Sequence, residues 1–74
     1  MVTTFQERMV SARKASGLTQ LDAAKAVGVN RVTWVLWEHG REPRSRVVIA
    51  QAAAVLGVHE AWLSMGVGPR KIRK

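Results

Sequence analysis

The stretch from Thr19 to Glu38, TQLDAAKAVGVNRVTWVLWE, narrows the possible folds of this chain more than any other. Thr19 is followed three residues later by Asp22, the spacing of a capping box. In that device the hydroxyl takes the third helical amide and the carboxylate returns to the cap amide. Leu21, Ala23, Ala24 and Val27 then recur at helical spacing among good helix formers. Gly28 stands where the chain must turn through a left-handed conformation, which a residue with a Cβ adopts only at a cost. Val29 is apolar inside the turn and is expected to plug the angle between two helices. Asn30 is a preferred N-cap, so a second helix is predicted from Arg31.

Two short helices joined by a tight, glycine-containing turn form a helix-turn-helix unit, whose second helix enters the major groove of DNA. The ordered details go further than a generic helical hairpin. Gln20 opens the first helix, Ala24 is small where the helices cross, and Val29, Trp34 and Trp37 take inward positions. Glu38-His39-Gly40 ends the second helix. With GLTQ before it and LGV…WL..G after it, this set resembles the lambda-repressor and Cro-like (XRE-type) helix-turn-helix family from about Arg8 to Gly66. The resemblance implies an all-α, compact five-helix bundle that binds double-stranded DNA. It also implies that Arg13 pairs with Glu38; two solvated side chains are the alternative.

The remaining helices follow from caps and stripes. Thr4 with Glu7 forms a second capping box, starting a helix to about Ala15 with Phe5, Met9 and Ala12 on its core stripe. Pro43 disfavours a helical Glu42, so residues 41–44 are a loop. Ser45 is the expected N-cap of a helix to about Leu56, buried through Val48, Ile49, Ala52, Ala53 and Leu56. Glu60 to Met65 is a short fifth helix with Trp62 and Leu63 turned inward. The expected organisation is one domain over residues 1–66 and a flexible basic tail over 67–74, since VGPRKIRK is too short and charged to pack independently.

Size and charge bound the function. A chain of 74 residues is one small domain that buries about 60% of its unfolded surface. It contains no Cys, which fits a reducing cytoplasm and removes disulfides and thiolate metal sites. Its first residues lack the pattern of a signal peptide, and Val47 to Val58 falls short of a membrane span. Twelve Lys and Arg against five Asp and Glu give a net charge of +7. Four of the twelve are Arg70, Lys71, Arg73 and Lys74, while Arg31, Arg41, Arg44 and Arg46 cluster in or just after the second helix of the motif. That clustering points to nucleic acid ahead of a membrane surface.

At 100° per residue the second helix of the motif shows two faces. Trp34 and Trp37 point inward, flanked by Thr33 and Glu38. Arg31, Val32, Val35, Leu36 and His39 point outward, where the resembled family reads bases; many of its members carry Gln, Ser, Arg or Lys at several of these places. Three readings compete. The aliphatic groups contact thymine methyls; or the patch binds a protein, as an antirepressor would; or a dimer partner buries it. The surrounding Arg residues favour DNA.

The base-contacting candidates are therefore Arg31, Val32, Val35 and Leu36. The phosphate-contacting candidates are Gln20, Asn30, His39, Arg41, Arg44, Arg46, Arg70 and Lys71. Arg13, Glu38, Trp34 and Trp37 are structural. His39 and His59 have no catalytic company, no phosphate-binding loop is present, and no spacing suits Zn²⁺ or Ca²⁺. No enzyme activity, cofactor, metal, membrane or small-molecule ligand is expected. The expected protein is a cytoplasmic, nucleoid-associated regulator of phage-repressor type that binds a palindromic operator as a homodimer. An antitoxin or a restriction-modification controller shares the same fold.

Overall fold

The capping boxes and glycines set the helix ends in the computed structural model, which describes residues 3–71. Five helices follow one another: α1 (Phe5–Ala15), α2 (Gln20–Val27), α3 (Arg31–Glu38), α4 (Arg46–Leu56) and α5 (Glu60–Met65). Thr4 and Thr19 each accept from the amide three residues on, and Glu7 and Asp22 each accept the cap amide in return. Asn30 caps α3 through its side chain, accepting from the Thr33 amide at 2.8 Å. Ser45 and His59 hold the N-cap positions of α4 and α5, yet neither side chain makes a cap bond. The two later helices are therefore held by packing.

Gly28 is the pivot of the motif. Its φ of +90° lies in the left-handed region, and its N–H and that of Val29 both donate to Ala24 O. This wraps the end of α2 and sends the chain directly into the Asn30 cap. Val29 is half-buried and packs on the core from inside the turn.

The core forms where the five helices meet. Trp34, Met9 and Leu63 are its largest fully buried side chains. The Trp34 and Trp37 rings lie 5.6 Å apart, tilted by 55°. Small residues permit close approach: Ala23 and Ala24 of α2 are wholly buried, and so are Ala52 and Ala53 of α4, which packs against α2. α1 packs on α3 and α5, and α5 also packs on α4. One sequence expectation fails here. Leu21, read as part of the α2 apolar series, is exposed, because α2 rests on its two alanines and turns position 21 to solvent.

The segment after α5 returns to the bundle as far as it is described. Val58 and Lys71 form an antiparallel bridge, and the His59 N–H donates to Arg70 O at 3.0 Å. The Arg70 guanidinium lies 4.9 Å from the Trp62 ring centroid, a cation–π contact. The stretch assigned from sequence to a flexible tail thus touches the domain through residue 71; Arg73 and Lys74 lie outside the described residues. No helix among the described residues is long and apolar enough to cross a membrane.

Candidate nucleic-acid interface

Glu38, at the last turn of α3, fixes the orientation of the motif. Its carboxylate is buried and receives hydrogen bonds from three helices. Arg13 of α1 donates through Nε at 2.5 Å and Nη2 at 3.2 Å, Gln20 of α2 donates through Nε2 at 3.1 Å, and Trp34 of α3 donates through its indole N–H. Arg13 also donates to Leu18 O at 3.0 Å in the loop between α1 and α2. Burial by itself raises the Glu38 carboxyl; the hydrogen bonds from Arg13, Trp34 and Gln20, with the charge of Arg13, more than offset it. The net result lies below the ordinary carboxylate range.

With its inner side fixed in this way, α3 presents the opposite side to solvent. Arg31, Val32, Leu36 and His39 are all exposed, Val32 at 68% and Leu36 at 42%. Val35 is half-buried, so the projecting apolar pair is Val32 and Leu36, one helical turn apart on one face. His39 closes the helix with Nδ1 2.8 Å from Val35 O, which leaves Nε2 as its outward nitrogen. Just beyond, the exposed Arg41 and Arg44 line a groove of about 560 Å³ with Trp37, Pro43 and Val48.

The structure divides the basic residues that sequence grouped together. Arg31, Arg41 and Arg44 belong to α3 and the loop after it. Arg46 instead lines a cleft with Ile49, Glu60 and Met65, on the α5 side of α4. Arg70 and Lys71 lie against the turn between α4 and α5 and beside Trp62. Gln20, assigned to phosphate, directs its amide nitrogen to Glu38. The Asn30 side-chain oxygen is engaged at the α3 cap.

Two participants escape a reading of the sequence. The donor role of Gln20 has no local signature, because its partner lies 18 residues away in another helix. Trp34, four residues before Glu38, had one in the i,i+4 spacing. Arg8 is the other omission. It is 6% exposed and has no carboxylate partner among the described residues; its Nε donates to Leu63 O at 2.9 Å, Nη2 to Ser64 O at 3.1 Å and Nη1 to Thr3 O at 2.6 Å. A guanidinium there satisfies carbonyls that the end of α5 leaves open and meets the negative end of its dipole.

A helix held rigidly from behind, exposed in front and bordered by arginines defines the helix-turn-helix class of DNA-binding regulator. Comparison with protein families agrees: residues 7–64, well over half of the chain, match the helix-turn-helix domain family, and the chain belongs to it. No curated protein matches the chain.

Proposed function

We propose that this chain is a sequence-specific, double-stranded-DNA-binding transcriptional regulator of the lambda-repressor-like (XRE) type, acting as a repressor of the phage or prophage kind. The observation that carries the reading is the outward face of α3, with Arg31 at its start and Arg41 and Arg44 past its end. In this reading α3 lies in the major groove, and Arg31, Val32 and Leu36 meet base edges with Val35 behind them. Asn30, His39, Arg41 and Arg44 hold phosphates, as does the second amide hydrogen of Gln20. Two copies on a palindrome place their half-sites about one helical turn apart. The regulator works in the cytoplasm, on the nucleoid.

Salt dependence of binding tests this. Two arginines per protomer on phosphates, Arg41 and Arg44, give a slope of log K against log salt of about −2 per protomer. Fluorescence anisotropy with a duplex recovered by in vitro selection measures it. A slope near zero defeats the DNA reading and favours a protein partner for the exposed apolar pair on α3.

A further inference from the structure

We propose that the α3 surface recognises the C5-methyl group of pyrimidines, in thymine and 5-methylcytosine alike, so that cytosine methylation within the site strengthens binding. The inference rests on the reading of α3 as a major-groove helix, and it names the chemical group that the helix reads.

The polar inventory of α3 leads there. Reading adenine takes a bidentate amide, from Asn or Gln. The Asn30 oxygen is committed to the Thr33 amide, and the Gln20 amide nitrogen turns inward to Glu38. His39 spends Nδ1 at the Val35 carbonyl. Arg31 is then the one long, exposed donor at the start of the face, with the geometry for guanine O6 and N7. What projects beside it is aliphatic: Val32 at 68% exposure and Leu36 at 42%, one turn apart.

The major groove offers an aliphatic side chain one apolar partner, the methyl at pyrimidine C5. Thymine carries it and uracil does not; 5-methylcytosine carries it at the same ring position and cytosine does not. An alkyl patch therefore reads the methyl and is indifferent to the exocyclic group at C4. The charge around the patch selects the occupant. Arg31 directly precedes Val32 and the Arg41 amide donates to Leu36 O, so exposed arginines stand at both ends of the patch, which suits a polyanion and opposes closure by a second copy of the same basic face. A guanine met by Arg31 beside a methylated pyrimidine met by Val32 or Leu36 is the preferred arrangement.

The experiment uses the full chain and one selected duplex, with each candidate pyrimidine made in turn thymine, uracil, cytosine or 5-methylcytosine, measured by anisotropy at fixed salt. At a contacted position the thymine-to-uracil and 5-methylcytosine-to-cytosine affinity ratios are both about fourfold, the value of one buried methyl-sized group. Both ratios fall to one in V32A or L36A, whichever side chain makes the contact, because the methyl then has no partner. The duplex changes leave the protein untouched, so folding does not enter the wild-type ratios; melting curves qualify the two variants. Ratios of one at every position of a duplex that is bound tightly and with salt dependence overturn the methyl reading and leave the DNA reading standing. Ratios that persist in both V32A and L36A overturn it as well, by showing that the methyl acts through DNA shape. Failure to bind any duplex overturns the DNA reading and this inference together.

Discussion

Glu38 collects donors from α1, α2 and α3, and a single carboxylate that joins three helices makes their mutual orientation depend on one charge. Its lowered pKa carries a sign. A carboxyl depressed on folding contributes stability that is fully present above its unfolded value, about 4.5, and that is lost as pH falls through the folded value. Thermal melts of wild type and E38Q should therefore differ most above about pH 5 and draw together as pH falls below the ordinary carboxylate range. A constant difference over that range would show that the network depends on shape and not on charge. Arg8 acts as a donor to backbone carbonyls, Leu63 O, Ser64 O and Thr3 O. R8A strands those acceptors near the end of α5 and should cost about 2–3 kcal/mol in urea unfolding. A loss under 0.5 kcal/mol would mean that water replaces the guanidinium there.

Among the elements, the turn between α2 and α3 sets the angle at which α3 leaves the bundle. A Cβ at Gly28 meets nothing within 4 Å, so the cost of G28A is the backbone cost alone. Holding alanine at a φ of +90° should cost about 1–2 kcal/mol. Equilibrium unfolding measures that figure, and a loss well above it would reveal that α3 shifts against Trp34 and Trp37. Gly66 differs, since there a Cβ would come within 3.0 Å of Arg8 Nη1. The same residue type is needed at the first site for its dihedral angle and at the second for space as well. α3 differs from its neighbours in having one face fixed by Glu38 and two tryptophans while the other is left to solvent. That asymmetry lets a helix of eight residues be both rigid and available.

At the scale of the whole molecule, the described basic residues read as DNA contacts fall into two groups. Arg31, Arg41 and Arg44 accompany α3, whereas Arg46, Arg70 and Lys71 accompany α4 and α5. If DNA lies along α3, R41A and R44A should each flatten the salt slope by about one unit, and R70A should leave it unchanged. The same anisotropy series decides this. An equal effect of R70A would mean that the duplex also reaches the α5 side. The segment from Val67 to Lys71, held at Val58, His59 and Trp62, would in that case carry phosphate contacts as well as packing.

Local rules fixed much of this protein. Caps, apolar periodicity and glycine positions are short-range properties of a chain, so the five helices, the pivot at Gly28 and the outward placement of Arg31, Val32 and Leu36 could all be read from neighbouring residues. The Arg13–Glu38 pair was reachable only through resemblance to a family. Other features needed the assembled bundle. Leu21 is exposed because two alanines already fill the crossing of α2, and nothing within α2 announces that. Arg8 is buried because carbonyls 55 and 56 residues away converge on it. Gln20 turns inward because Glu38 of another helix draws its amide. Arg46 and Arg41 are five residues apart in sequence, yet one lines the α5 cleft and the other the groove beside α3. Hydrogen bonds and desolvation act over a few ångströms of space, whatever the separation along the chain, so sequence settles the elements while packing decides which polar groups remain free to meet DNA.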